Sequence, residues 1–145
     1  MHNTQHRFLK GIVLLASLLS VAAASAARAA GSQAQDPKSI LDRVYSVPQA
    51  ERGEQRFRQS CSSCHTTSDF SGGAFAERWS GQTLGEAYEF LSVNMPENDP
   101  GGLKPEEYAS VLAFILRMNG YPVGSDDMPA DKAALKKFEI VPNPK

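Results

Sequence analysis

The apolar residues of this chain recur at helical spacing in several segments, and the strongest of these patterns covers residues 105–118. An apolar side chain there follows every third or fourth position, as on one face of an α-helix: Tyr108, Val111, Leu112, Ile115 and Met118. Pro105 suits the first turn of such a helix, and Gly120 suits its C-terminal cap. The pattern predicts an amphipathic helix over 105–118.

Three further segments predict shorter helices, at about 48–60, 84–93 and 131–138. The intervening residues predict loops. Residues 66–82 contain a Gly-Gly pair and a Trp-Ser-Gly sequence, and residues 94–105 contain three prolines and two glycines. No segment alternates apolar and polar residues over the length of a strand, so the expected fold class is all-α.

The first 29 residues have the pattern of a secretory signal peptide. Arg7 and Lys10 precede an apolar run, and small residues around Arg28 provide a cleavage site. The alternative, an uncleaved anchor, is less favoured because the apolar run is shorter than a membrane span of about 20 residues. We expect export to a bacterial periplasm, with no membrane span after cleavage. Residues 30–47, rich in Ser, Gln, Ala and Asp, then predict an N-terminal arm.

Removal of residues 1–29 changes the charge of the chain. The 15 Lys and Arg residues lose Arg7, Lys10 and Arg28, which leaves 12 against 16 Asp and Glu, a net charge of −4. This balance does not support nucleic-acid binding. The remaining 116 of the 145 residues are enough for one small domain, whose modest core would gain from a bound cofactor.

The candidate chemistry lies in Cys61-Ser-Ser-Cys64-His65, which contains both cysteines of the chain. Two thiols at this spacing can bond both vinyl groups of one haem, and the adjacent imidazole can then bind the iron. A redox dithiol would be expected in a βαβ setting, a zinc site needs four ligands, and a disulfide between such close residues constrains very little of the chain. The motif therefore favours covalent haem c.

The second axial ligand of such an iron is expected to be a methionine, because His65 is the only histidine after the predicted signal peptide. Met95 lies in the proline-rich loop about thirty residues after His65 and is the preferred candidate. Met118 continues the apolar face of its helix, and Met128 lies in a polar segment near the end. Met128 and an open iron remain alternatives.

Together with this motif, several longer segments resemble the class I c-type cytochromes. They are VYSVPQAERGEQRF before the motif, SGG and Trp-Ser-Gly after it, NMPENDPGGLKPEEYASVLAFILRMNGYP, and MPADKAAL near the end. More narrowly, the chain resembles the monohaem domains associated with quinoprotein alcohol dehydrogenases. Two positions depart from the family pattern: Thr66 follows His65 where a glycine is usual, and no proline follows the motif.

The resemblance implies a class I cytochrome c fold, with three to five short helices around one covalently bound haem. It places the haem domain at residues 48–138, followed by a C-terminal tail at 139–145. It also implies that the first and last main helices cross at Gly53, with Phe57 against Val111 and Phe114.

The family ligands correspond to Cys61, Cys64, His65 and Met95. For Trp79, the resemblance leaves two roles open, a hydrogen bond to a haem propionate or an aromatic residue of the interior.

The expected function is one-electron transfer rather than catalysis on a substrate, because His65 is committed to the iron. The expected partners are periplasmic redox proteins: a dehydrogenase as donor, and an oxidase or another cytochrome as acceptor. One alternative is a tightly bound cytochrome subunit of a periplasmic dehydrogenase complex, with the arm and the tail wrapped around the catalytic chain. Another is a gas or peroxide binder with an open iron.

Overall fold

A computed structural model describes residues 38–144 of the chain, and within this range it has five α-helices. They are α1 Val47–Ser60, α2 Gly72–Trp79, α3 Leu84–Asn94, α4 Pro105–Met118 and α5 Lys132–Leu135. Two short 3₁₀ segments, Ile40–Asp42 and Thr67–Phe70, and two short strands, β1 Lys38–Ser39 and β2 Phe138–Glu139, complete the elements. The helices predicted near 48–60, 84–93 and 105–118 are confirmed, and the one predicted over 131–138 is shorter.

The prediction of a continuous loop over residues 66–82 is wrong, because this segment contains the 3₁₀ turn Thr67–Phe70 and helix α2. Gly72 begins α2 at a φ of +57°, a conformation that glycine adopts without strain. Phe75 and Trp79, four residues apart on the same face of α2, are both buried. The two glycines were therefore the start of a helix rather than a sign that no helix forms.

Helix α3 begins with a capping box. The Thr83 hydroxyl accepts a hydrogen bond from the Glu86 backbone N–H at 3.2 Å, and the Glu86 carboxylate accepts one from the Thr83 N–H at 2.7 Å. These two bonds pair backbone donors that a helix start otherwise leaves open. The Glu86 carboxylate accepts hydrogen bonds from the Thr83 backbone N–H and from the Thr83 hydroxyl, and these two bonds hold the pKa of the Glu86 carboxyl below its usual value. The start of α3 is thus defined by local sequence.

Helices α1 and α4 form the main helix pair of the described domain. At their crossing, Gly53 of α1 lies so close to α4 that an added Cβ would be 1.8 Å from the Ser110 carbonyl oxygen. Next to the crossing, the rings of Phe57 and Phe114 lie 5.5 Å apart, centre to centre. The expected crossing at Gly53 and the contact of Phe57 with Phe114 are therefore present.

The two ends of the described chain meet in a short parallel strand pair, with Lys38 opposite Phe138 and Ser39 opposite Glu139. Ile140 follows β2 and is buried, and its backbone exchanges hydrogen bonds with Gly81 and Gln82. Residues 38–46 of the predicted arm and 139–143 of the predicted tail thus pack on the helices, through buried side chains or backbone and side-chain hydrogen bonds.

The predicted signal peptide, residues 1–29, and the first part of the arm, residues 30–37, lie outside the described residues. Among the helices of residues 38–144, none is both long and apolar enough to cross a membrane.

Candidate functional site

Both cysteines lie in a tight turn at the end of α1. The backbone N–H of Cys61 donates to the Phe57 carbonyl at 2.8 Å, which completes the last helical turn. The N–H groups of Cys64 and His65 then both donate to the Cys61 carbonyl, at 3.1 and 3.0 Å. The two cysteines form no disulfide with each other. This turn holds the three chemically active side chains of the motif together.

The two thiols differ in their surroundings. Cys64 is exposed, whereas Cys61 is partly buried. Burial raises the pKa of the Cys61 thiol, and the nearby Arg56 guanidinium opposes this effect more weakly. Within residues 38–144, no three His, Cys, Asp or Glu side chains are grouped as ligands for a metal ion.

A cavity of about 580 Å³ opens beside this turn. Cys61, Cys64, His65, Met95 and Trp79 all line it, so the structure brings together all five residues predicted for the site. The remaining wall is largely apolar and comes from four helices and neighbouring segments. Its apolar members include Phe57, Phe70, Phe75, Leu84, Ala87, Phe90, Leu91, Val111, Leu112, Ile115, Leu116 and Ile140.

This cavity fits a haem group by its size and its chemistry. Packed protein interiors rarely contain voids larger than a water molecule, whereas cofactor sites span about 300 to 1,000 Å³. The wall is largely apolar, which suits the flat face of a porphyrin. Two thiols, one imidazole and one thioether, the side-chain types that attach and ligate haem c, face the same space.

The His65 ring has two close neighbours. Its Nδ1 atom lies 3.9 Å from a carboxylate oxygen of Asp69, and its ring meets the Phe70 ring edge-on at 5.2 Å. The same Asp69 oxygen accepts a hydrogen bond from the Thr66 backbone N–H at 2.8 Å, so the carboxylate is held in place. Sequence reasoning missed Asp69, although its position four residues after His65 was a usable signal.

Met95 directly follows α3 as its C-terminal capping residue, and its N–H donates to the Leu91 carbonyl at 2.9 Å. Its own carbonyl oxygen accepts a hydrogen bond from the Tyr108 hydroxyl at 2.7 Å. The peptide bond between Met95 and Pro96 is cis. Tyr108 was predicted only as part of the apolar face of a helix, so its bond to the Met95 loop was also missed.

The other two candidate methionines do not line the cavity. Met128 is buried elsewhere, where its backbone N–H and carbonyl both bond the side chain of Gln49, at 2.7 and 2.9 Å. Met118 is at the end of α4 and packs against the core. Of the three, only Met95 therefore shares a cavity with His65.

Trp79 is buried, with 7% of its surface exposed, and it packs edge-on against Phe90 at 5.6 Å. The Arg78 guanidinium lies over both rings, 5.1 Å from the centre of Trp79 and 4.3 Å from that of Phe90. A cation so close to aromatic faces is attracted to them. Trp79 thus packs against the ring of Phe90 and also lines the cavity.

Residues 48–115 match a family model described as cytochrome c oxidase, cbb3-type, subunit III. The match runs from α1 into α4 and includes the cysteine motif and Met95. This match supports a c-type cytochrome domain over residues 48–115. The predicted class I cytochrome c fold is confirmed, and so is covalent haem c, with Cys61 and Cys64 as the cysteines of the attachment motif.

This cytochrome domain is an electron carrier rather than a catalytic enzyme. Of the four interpretations of the cysteine motif, haem attachment is the one that the match supports. The narrower resemblance to domains associated with quinoprotein alcohol dehydrogenases stays a prediction. A search of curated proteins and a search of solved structures each returned no match.

Proposed function

We propose that this cytochrome is a periplasmic carrier of single electrons whose haem iron is bound by His65 and Met95. The observation that supports the proposal is the shared cavity, which is lined by both thiols, the His65 imidazole and the Met95 thioether. The bound haem supplies a reversible one-electron couple. The residues of the chain hold this group, orient its ligands and exclude water.

The two proposed ligands have different effects on the couple. The imidazole of His65 is the only one in the sequence after residue 6, and it directly follows the attachment cysteines. A thioether ligand such as Met95 favours the reduced iron and raises the reduction potential. Two permanent protein ligands leave no position open for a substrate. This arrangement suits electron transfer better than the binding of a gas or a peroxide.

The apolar wall supports the same role. Phe57, Leu91 and Leu112 belong to the apolar part of the cavity wall. Apolar surroundings with little water disfavour additional charge on the iron. They also let a weak ligand, such as the Met95 thioether, compete with water for the iron. The exposed Cys64 lies at the surface, which supports an exposed haem edge as the route for electrons to and from a partner. We propose that a periplasmic dehydrogenase donates, and an oxidase or another cytochrome accepts.

Export is supported by the sequence pattern of residues 1–29, which has the charged start, apolar run and small residues of a signal peptide. N-terminal sequencing of the secreted protein tests this part of the proposal. A mature chain that starts close to residue 30 supports it. A chain that retains Met1 in the periplasmic fraction contradicts the cleavage.

The proposed ligation is tested by visible spectra of Met95→Leu beside Met128→Leu, both in a host that matures c-type cytochromes. Leucine replaces the thioether by an apolar group of similar volume, so the fold is retained. We expect Met95→Leu to lose the low-spin spectrum of the wild type and to bind carbon monoxide when reduced. Met128→Leu should keep the wild-type spectrum, because Met128 does not line the cavity. An unchanged spectrum in Met95→Leu would remove Met95 from the ligand set.

A second candidate is a permanent cytochrome subunit of a larger oxidoreductase. The match to a family model described as an oxidase subunit favours it, and the predicted dehydrogenase complex is of the same kind. Purification of the tagged protein from its native host separates the two candidates. A catalytic chain recovered at a fixed ratio supports the subunit, whereas a monomeric cytochrome that exchanges electrons with several added partners supports the free carrier.

A further inference from the structure

The hydroxyl of Tyr108 joins the two ends of the loop that begins at Met95. It donates a hydrogen bond to the Met95 carbonyl oxygen at 2.7 Å and accepts one from the Leu103 backbone N–H at 3.3 Å. Leu103 lies eight residues after Met95, and the polypeptide between them contributes Pro96, Glu97 and Asn98 to the cavity wall. One side chain on α4 therefore ties down both ends of this wall segment.

The loop has few other fixed points. Its internal backbone bonds join Asp99 to the Pro96 carbonyl and Gly102 to the Asp99 carbonyl, and they hold the loop only to itself. The Met95 carbonyl lies at the end of α3, where helix carbonyls lack partners within the helix. The Tyr108 hydroxyl satisfies this carbonyl.

The Tyr108 ring is well placed to hold this hydroxyl still. Only 4% of the Tyr108 surface is exposed, and its ring packs edge-on against Tyr88 at 6.3 Å. A buried ring of this kind has little freedom to turn away from its partners. Tyr108 itself does not line the cavity, so any effect on the haem site acts through the Met95 loop.

We propose that Tyr108 is the positioning residue for Met95: its hydroxyl fixes the backbone from which the thioether reaches the iron. This inference rests on the proposed ligation by Met95. Without the hydroxyl, the Met95 carbonyl and the Leu103 N–H both lose a buried partner, and the loop gains freedom. The thioether then competes less well with an added ligand.

The test compares Tyr108→Phe with Tyr88→Phe, using imidazole as the probe and the oxidised, haem-containing protein. Each change removes one hydroxyl from the same buried aromatic pair. The Tyr88 hydroxyl, however, bonds the Pro105 carbonyl at 3.4 Å and not the Met95 loop. Imidazole is titrated at a temperature well below unfolding, and its binding is followed by the visible spectrum.

We expect imidazole to bind Tyr108→Phe about tenfold more tightly than it binds the wild type. A tenfold change in affinity corresponds to roughly 1.4 kcal/mol. The loss of a hydrogen bond that leaves a buried group without its partner has a cost of this size. Tyr88→Phe should stay within about twofold, since its change leaves the loop bonds intact. Equal affinities of the two variants for imidazole would overturn the inference and leave Tyr108 with a structural role alone.

Met95→Leu provides the reference for the ligation itself. If Met95 is the ligand, this variant binds imidazole more tightly than either tyrosine variant, because no thioether competes. If Met95→Leu binds imidazole as wild type does, the ligation fails and the inference about Tyr108 fails with it. If Met95→Leu binds tightly while Tyr108→Phe matches Tyr88→Phe, only the inference about Tyr108 fails.

Discussion

Replacing Gly53 by alanine should destabilise the domain strongly, because α1 and α4 cross at this residue without room for a side chain. An added Cβ would lie 1.8 Å from the Ser110 carbonyl oxygen, 2.4 Å from its carbonyl carbon and 3.0 Å from the Cβ of Phe114. The first two atoms belong to the backbone of α4. They move only if the whole helix moves.

The size of the effect follows from this geometry. The closest contact must lengthen from 1.8 Å to at least 3.0 Å, the shortest distance that real Cβ atoms show. Such a shift also loosens the Phe57–Phe114 contact beside the crossing. Overpacking a core costs about 1 to 3 kcal/mol or more, while alanine regains about 1 kcal/mol of helix propensity. The contact with backbone atoms places Gly53→Ala at the upper end of this range. We therefore expect a net loss of about 2 kcal/mol in the free energy of unfolding.

For a domain of this size, such a loss lowers the melting temperature by roughly 8 to 16 °C. The assay is thermal unfolding of the haem-containing protein, followed by far-ultraviolet circular dichroism. Gly73→Ala is the matched control, because a Cβ there meets no atom within 4 Å and the residue is in helix α2. We expect that control to keep the stability of the wild type or to raise it by up to about 1 kcal/mol, because alanine favours the helix and meets no atom there.

A second variant tests which atoms cause the strain. Adding Ser110→Ala to Gly53→Ala removes the Ser110 hydroxyl but leaves the carbonyl oxygen that the new Cβ meets. Stability should therefore not recover. If Gly53→Ala melts within about 2 °C of the wild type, the helices do not cross at the distance described and the reasoning is refuted.

Two further predictions concern charge near the site and ionisation in the core. Asp69→Asn should raise the reduction potential by roughly 20 to 60 mV, because it removes a negative charge 3.9 Å from His65 that favours the oxidised iron. Potentiometric titration at low salt measures this shift. Burial raises the pKa of the Tyr45 phenol above 10.0, and nearby Arg117 opposes this effect more weakly. The resulting stability is present below pH 10.0 and is lost as the pH rises through the folded-state pKa, so Tyr45→Phe should lessen the alkaline loss seen in denaturant unfolding.

Each of these predictions has a control and an outcome that contradicts it. Asp126→Asn removes the same charge away from the cavity and should leave the potential unchanged, so an equal shift in both variants would refute a specific effect of Asp69. Tyr45→Phe also removes a 2.8 Å hydrogen bond to the Tyr121 carbonyl and should cost about 1 kcal/mol at neutral pH. If the stability of Tyr45→Phe falls with alkaline pH as steeply as that of the wild type, other groups cause the loss.

Local features of this protein could be predicted from the sequence because neighbouring residues determine them. The predicted attachment motif is contiguous, and Cys61, Cys64 and His65 lie in a single turn. The apolar spacing over 105–118 likewise identifies α4, because helical periodicity is a property of adjacent residues. The same reasoning failed at Gly72, where a glycine pair was interpreted as a loop although the burial of Phe75 and Trp79 maintains a helix.

Only the tertiary structure decided which distant residues meet. It placed Met95, and neither Met118 nor Met128, in the wall of the cavity that His65 also lines, and it joined Tyr108 to the Met95 carbonyl. It also paired residues 38–39 with residues 138–139, although the sequence suggested a separate arm and tail. The physical reason is that each apolar face and each polar group has several suitable partners along the chain. The partner that a residue actually contacts is the one that lets the whole domain bury its apolar faces and pair its polar groups at the same time.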